Sequence, residues 1–146
     1  MVLSWMIAAI MKFAGTYYYE SPDKYSKRYY EYKQVYQTYC QDHPRIRIVV
    51  EHLPDNTVGY CSYGSGENLI ELDADYWGEA PEYEKEQLVF HEMGHCDLYR
   101  KVHTEGVVNM FNGALIPKSI MKSEGMIELD YKVYHDYYMK ELFQDL

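Results

Sequence analysis

The chain has 146 residues, of which 47% are hydrophobic, and a formal net charge of -9. This length allows one hydrophobic core and is too short for two ordinary domains, so we expect a single domain spanning 1–146. The negative charge argues against nucleic acid as a partner, because binding to phosphate backbones requires clustered Lys and Arg.

An apolar run from Val2 to Met11 opens the chain. No Lys or Arg precedes it and no good cleavage site follows, which disfavours a signal peptide, and it is too short for a membrane span. If residues 1–15 do act as a signal, we expect a soluble secreted or periplasmic protein. Otherwise we expect an intracellular or virion-associated one.

Tyrosine-rich sequence follows, and it predicts the first helix. Ser21-Pro22 is typical of a helix start, and tyrosines then recur at spacings of three and four up to about Cys40. Most of the 18 tyrosines fall in 1–40 or 131–146. Because Tyr is amphipathic, these stretches can pack in the core with their hydroxyl groups reaching solvent, or they can form contact surfaces for assembly with another protein.

Three strands are predicted in the middle of the chain. Residues 45–51 alternate and are rich in β-branched side chains, and 57–63 reads as a second strand after the turn Pro54-Asp55-Asn56, which predicts a hairpin. Gly64-Ser65-Gly66 marks another turn, and a third strand is expected at 68–73.

The next predicted helix starts at Pro81, has acidic first turns and ends near Tyr99 or Arg100. It contains His91-Glu92-Met93-Gly94-His95. Side chains four apart share a helix face, so His91 and His95 can bind one divalent metal ion. Glu92 directly follows the first ligand, which places its carboxylate beside a metal-activated water as a general base.

The rest of this helix is predicted to pack on the core through Val89, Phe90, Met93 and Cys96, with Leu88 on the same face as the motif. One residue turns a helix by about 100°, so Cys96 should point away from the metal. Three cysteines cannot form a disulfide framework, and we expect Cys96 to pack or to pair with Cys61.

A catalytic zinc ion usually has three protein ligands, so a third is needed. His103 is the first candidate, since it follows His95 by eight residues, where the chain could turn back toward the ion. Glu124 is the alternative, and a carboxylate is also a suitable ligand. Asp97 ranks last because it faces away on a helix that continues.

Residues 104–122 read as irregular structure, with Gly106, Gly113 and Pro117. A final helix is expected over 128–143. Its inner face is predicted to carry Leu129, Val133, Tyr137 and Leu142. The order of elements is helix, three strands, motif helix, loop and helix, which indicates an α+β fold.

The zinc motif, a downstream His and then Ser119-Ile120-Met121 before a last helix resemble the metzincin clan of zinc endopeptidases. The resemblance implies a twisted mixed sheet packed on the N-terminal helix and the motif helix, in an upper subdomain at 21–100. A small lower subdomain at 101–146 would end in a helix. It also implies that Met121 lies beneath the metal as a support, and that the strand at 68–73 borders the cleft and binds an extended peptide.

Two positions depart from the metzincin pattern, which has Gly three residues after the second His and the third His three residues later. This chain has Leu98 and Lys101 there, so the turn that brings His103 inward must be built differently. Cys96 and the segment Pro117 to Met121 are more closely similar to a group of short metallopeptidases of bacteria and their viruses.

The sequence therefore predicts a Zn²⁺-dependent peptidase acting on peptides or proteins. His91, His95 and His103 would hold the metal, and Glu92 would take a proton from the attacking water and pass it to the leaving amine. The alternative is a structural or assembly protein, such as a virion component, in which zinc only stabilises the fold. A gluzincin-like peptidase with Glu124 as ligand is a third reading.

Overall fold

A computed structural model describes Gln34, which is helical, and residues 46–143. The predicted N-terminal apolar run, most of the predicted first helix and Cys40 lie outside the described residues. Among the residues described, no helix is both long and apolar enough to cross a membrane.

A three-stranded sheet forms one side of the structure. It contains β1 (Ile46–Glu51), β2 (Gly59–Tyr63) and β3 (Asn68–Asp73), and β3 lies in the centre. β1 runs parallel to β3 from the pair Ile46 and Asn68, whereas β2 runs antiparallel to it from the pair Gly59 and Leu72. β3 takes the centre because its alternating side chains Asn68, Ile70 and Leu72 are all buried.

The predicted hairpin between the first two strands is wrong. The turn itself forms, with Asp55 and Asn56 in the left-handed conformation and the Thr57 amide donating to the Pro54 carbonyl. The strands it joins nevertheless lie on opposite sides of β3. A local turn signal specifies the reversal of the chain but not which edges pair, and β1 and β2 both pair with β3 rather than with each other.

Helix α1 (Ala74–Glu79) follows β3 directly and was not predicted. Its N-cap is Asp73, whose Oδ1 accepts a hydrogen bond from the Tyr76 amide while Oδ2 accepts one from the Leu53 amide. Asp73 ends the alternating strand, and an Asp at such a position is a common N-cap, so it was a usable signal for this helix start.

Helix α2 (Glu82–Cys96) carries the motif and packs on β2 and β3. Val89, Phe90, Met93 and Cys96 are fully buried, as predicted. The helix ends three or four residues earlier than expected, because Tyr99 adopts a left-handed conformation with φ 54°.

The four last carbonyl groups of α2 each have a partner, which explains why the helix can end there. The Met93 and Gly94 carbonyls accept from the amides of Asp97 and Arg100. The two that follow accept from side chains of the sheet, Tyr63 Oη to His95 O at 2.7 Å and Asn68 Nδ2 to Cys96 O at 2.9 Å. Sheet and helix are therefore joined at the C-terminal end of α2.

The segment predicted to be irregular contains a short antiparallel pair, β4 (Val107–Asn109) and β5 (Leu115–Pro117). The predicted single last helix is two helices, α3 (Glu128–Val133) and α4 (His135–Leu142). Its predicted inner face is also wrong in part, since Leu129 and Val133 are exposed. The buried residues of α3 and α4 are Tyr131, Tyr138, Met139 and Leu142.

The break at Tyr134 explains that error. Its φ of -110° and ψ of 22° interrupt the helical repeat, so α4 starts with a new rotation about its axis. A periodicity extended across the break assigns the wrong face. Residues 46–143 have an α+β fold with small sheets and four helices, which confirms the predicted class. The single-domain organisation stays a prediction.

Candidate metal centre

Helix α2 places its motif along the wall of a large cleft in the described part of the chain. The cleft has a volume of about 870 Å³. Leu88, His91, Glu92 and His95 all line it, as expected for residues spaced by three and four on one helix face. The motif therefore faces solvent-accessible space while the opposite face of α2 packs on the core.

Three imidazole rings meet in this cleft. The Nε2 atom of His95 lies 3.1 Å from that of His91 and 3.3 Å from that of His103. In a tetrahedral zinc site with Zn–N bonds of about 2.0–2.1 Å, two ligand nitrogens are roughly 3.3–3.4 Å apart. The separations measured here are therefore close to those of one shared ion.

The other ring nitrogens of the two helical histidines are already committed. His91 Nδ1 donates to the Ile120 carbonyl at 2.9 Å, and His95 Nδ1 donates to the Arg100 carbonyl. A carbonyl only accepts, so each Nδ1 carries the hydrogen and each Nε2 of a neutral ring carries a lone pair. Metal-bound histidines are commonly oriented in this way, by a hydrogen bond from the second ring nitrogen to a backbone carbonyl.

Burial keeps these two rings neutral. It lowers the pKa of His91 to about 4, against a smaller opposing effect of its hydrogen bond to Ile120, and it also lowers the pKa of His95. At neutral pH two lone pairs therefore face each other at 3.1 Å with no proton between them. Such an arrangement is unfavourable unless a cation lies between the nitrogens, so the donor set fits a metal ion.

Glu92 lies beside this cluster and is only 3% exposed. Its Oε2 has no hydrogen-bond partner among the described residues. Burial raises the pKa of Glu92 to about 8. A buried carboxyl with a free oxygen and a pKa near neutrality has the properties expected of a general acid or base.

Gly59 makes room for that carboxyl. A Cβ at this position would lie 3.1 Å from Leu88 Cδ1 and 3.2 Å from Glu92 Oε1. β2 can therefore approach α2 closely only because residue 59 has no side chain. The sequence reasoning did not single out Gly59, and an isolated Gly inside a predicted strand was the available signal.

The segment Ser119-Ile120-Met121 lies under the motif helix. Met121 is fully buried, and a Cβ on Gly94 would overlap its Sδ and lie 3.1 Å from its Cε. The Ile120 carbonyl next to it is the acceptor for His91. Gly94 is thus required by the close approach of Met121, and this segment contacts α2 at both Gly94 and His91.

His103 reaches the cluster through a turn built on Tyr99. The left-handed Tyr99 lets the Arg100 amide donate to the Gly94 carbonyl, and the Arg100 carbonyl then accepts from His95. Downstream, the Thr104 amide donates to the Met121 carbonyl at 2.8 Å. This is the different turn that the departures at Leu98 and Lys101 led us to expect.

A disulfide joins the cleft wall to the motif helix. Cys61 of β2 and Cys96 of α2 are bonded, with Cα atoms 5.5 Å apart. The sequence left open whether Cys96 packs or pairs with Cys61, and the structure shows the pairing, with Cys96 directed away from the cluster as expected. The bond holds β2 against α2 one residue beyond His95.

β2, and not β3, borders the cleft, which corrects the prediction for the strand at 68–73. β3 is paired on both sides, whereas β2 pairs with β3 alone among the described strands and lines the cleft through Gly59, Tyr60, Cys61 and Tyr63. The error followed from the wrong hairpin. With β1 paired to β2, the third strand would have been an edge strand, but in the sheet β3 is central and β2 is at the edge.

The other candidate ligands lie apart from the cluster. Among the described residues, the one group of three or more potential metal ligands is His91, His95 and His103. Glu124 is exposed and lines the cleft, but it does not belong to this group, and neither does the buried Asp97. The structure thus brings together the three predicted histidines, while ligation itself stays a prediction.

Comparison with known proteins gives one result. The model of the family described as "Putative phage metallopeptidase" matches residues 35–118, which include all three histidines and Glu92. No curated protein and no solved structure matches the chain.

Proposed function

The chain belongs to this phage metallopeptidase family, whose model covers more than half of its length, and on this premise we propose that it is a zinc-dependent peptidase. The observation that carries the proposal is the triangle of imidazoles. Two of its Nε2 lone pairs face each other at 3.1 Å, and both Nδ1 atoms are committed to carbonyl groups.

His91, His95 and His103 would hold the ion. Neutral imidazole nitrogens are good zinc ligands, and three of them leave a fourth position open, as in catalytic rather than structural zinc sites. When bound, zinc supplies Lewis acidity that acidifies water and polarises a carbonyl group. The metal identity rests on this chemistry and on the metallopeptidase family.

Glu92 would move the proton. Its carboxylate takes a proton from the attacking water and then passes it to the amine that leaves as the peptide bond breaks. Burial supports this role, because a carboxyl whose pKa is raised toward neutrality can both accept and release a proton near pH 7. Oε2 is available for this proton transfer, since it has no hydrogen-bond partner among the described residues.

The free edge of β2 would bind the substrate backbone. Among the described residues β2 pairs only with β3 and its residues line the cleft, and an extended peptide that adds to a sheet edge satisfies the backbone groups there. Because Gly59 brings β2 close to Glu92, a peptide on this edge passes directly by the proposed general base.

A metzincin-like arrangement is part of the proposal. It is supported by Met121, which lies under Gly94 and is followed by two short helices, although its turn to His103 differs from that clan. Met121 would act as a support that fixes the position of α2, since its side chain packs against the helix at Gly94.

The test begins with metal analysis of the purified full chain, for which we expect about one zinc ion per chain. The wild type should cleave members of a peptide library, and Glu92→Gln should retain zinc and lose cleavage. A protein without bound metal, and without affinity for added zinc, would contradict the proposal. Zinc binding without cleavage of any peptide or protein would favour the structural or assembly role instead.

A further inference from the structure

Glu141 of α4 connects the two backbone segments that orient the histidines. It is 11% exposed, and its two carboxylate oxygens accept hydrogen bonds from different segments. Oε1 lies 2.6 Å from Arg100 Nη2, and Oε2 lies 2.5 Å from Ser119 Oγ. No part of the function proposed above assigns a role to this residue, and it lies beyond the stretch that the family model matches.

The first branch leads to His95. The Arg100 side chain is held by Glu141 and also contacts Thr104 Oγ1 at 3.4 Å. The backbone carbonyl of the same Arg100 accepts the hydrogen from His95 Nδ1. Fixing the arginine side chain therefore fixes the acceptor that selects the ring orientation and tautomer of His95.

The second branch leads to His91. Ser119 is fully buried, donates its hydroxyl hydrogen to Glu141 and accepts a hydrogen bond from the Met121 amide at 3.0 Å. Ile120 lies between these two anchored residues, and its carbonyl is the acceptor for His91 Nδ1. The Ser119 hydroxyl thus holds the short turn that presents this carbonyl.

We propose that Glu141 is a positioning residue that sets the Nδ1–H tautomer and the ring orientation of both His91 and His95. It joins the Arg100 turn and the Ser119 turn, so that both Nε2 lone pairs point at one place. The consequence for metal binding rests on the proposed function, whereas the tautomers are a property of the metal-free chain.

The charge of Glu141 is needed for this role. A carboxylate can accept from two donors in different directions, whereas an amide has one acceptor oxygen and a donor group that repels another donor. Arg100 is largely buried, and its Nη1 has no partner among the described residues. Loss of the carboxylate would leave the guanidinium without its anion, and the Arg100 turn would rearrange.

The experiment measures tautomers and metal affinity separately. Long-range proton–nitrogen NMR spectra of the metal-free protein report which ring nitrogen of each histidine carries the hydrogen. Titration of stripped protein with Zn²⁺ against a chelating dye gives affinity, and Co²⁺ gives a visible spectrum of the site. The variants are Glu141→Ala, Ser119→Ala and the control Met139→Ala, which removes a buried side chain from the same helix.

In the wild type, His91 and His95 should both be Nδ1–H tautomers. Glu141→Ala should convert both rings to mixtures, lower zinc affinity about 10–100-fold and alter the Co²⁺ spectrum. Ser119→Ala should affect His91 and spare His95. Met139→Ala should lower stability but leave the tautomers, the Co²⁺ spectrum and the zinc affinity of the folded protein unchanged.

Two results would overturn the inference. One is a Glu141→Ala variant with wild-type tautomers, and the other is a Met139→Ala variant that changes them equally at the same loss of stability. If Glu141→Ala does not fold, Glu141→Gln serves, because one acceptor oxygen cannot satisfy both donors. Failure of the proposed metal site would appear differently, as a wild type with ordered tautomers that binds neither ion.

Discussion

Replacement of Glu92 with Gln should stabilise the metal-free protein, and the gain should grow with pH. Burial raises the pKa of this carboxyl from 4.5 to about 8 in the folded state. Between those values the folded protein binds a proton that the unfolded chain has released, so its stability falls as the pH rises. A glutamine side chain has the same shape but no titrating proton, so the variant lacks this loss.

The size of the effect follows from the shift. One pKa unit corresponds to about 1.4 kcal/mol, so burial of Glu92 costs roughly 1.4 kcal/mol at about pH 5.5 and roughly 3–4 kcal/mol at about pH 7.5. The stability of Glu92→Gln relative to the wild type should therefore increase by about 2 kcal/mol over this interval. Metal must be absent, because a bound dication would itself favour the carboxylate.

Urea denaturation of both proteins at several pH values, after removal of metal with a chelator, measures this difference. The matched control is Glu124→Gln, which makes the same chemical change at an exposed carboxyl of the same cleft. A difference between wild type and Glu92→Gln that stays constant with pH would refute the reasoning, since it would mean that Glu92 titrates alike in the folded and unfolded states.

Three further predictions concern the surroundings of the cluster. His103→Ala should lower zinc affinity by more than the 10–100-fold typical of an outer residue, and unchanged affinity in a chelator competition would remove His103 from the site. Breaking the Cys61–Cys96 bond, which closes a separation of 35 residues, should lower the free energy of unfolding by about 4 kcal/mol, as measured by denaturation of the double Ser variant. Gly94→Ala should lower the free energy of unfolding by about 1–3 kcal/mol because the added methyl group overlaps Met121. Thermal melts should show partial rescue by Met121→Ala. An unaltered melting temperature in the single variant would contradict that packing.

Local patterns of the sequence sufficed for part of the fold. The alternation of Ile46 and Ile48, and of Ile70 and Leu72, reports one buried face, and those strands form as expected. The α2 face made by Val89, Phe90 and Met93 was predictable for the same reason. These features depend on which side chains share a face of one element, which is a property of spacing alone.

Pairing and breaks were not predictable in the same way. The parallel pairing of β1 with β3 joins strands distant in sequence, whereas β2 and β3 are consecutive strands joined by a short turn, and turn signals at both connections do not decide which pair forms. The break at Tyr134 interrupts a spacing that the sequence continues across it. The unpredicted α1 had a signal at Asp73, but its second hydrogen bond, from the Leu53 amide, is tertiary. Local propensity does not decide such choices.

For the site, local spacing specifies the chemistry of α2, because His91, Glu92 and His95 place two imidazoles and a carboxyl on one helix face whatever the rest of the chain does. The sequence also indicated His103 and Met121 as partners, without a geometry. The folded chain adds the 3.3 Å separation of the Nε2 atoms of His103 and His95 and the carbonyls of Arg100 and Ile120 that fix the ring tautomers. Those contacts join residues brought together by the Tyr99 turn and by Glu141 on the last helix. Such distances depend on the packing of whole elements, which no local spacing encodes.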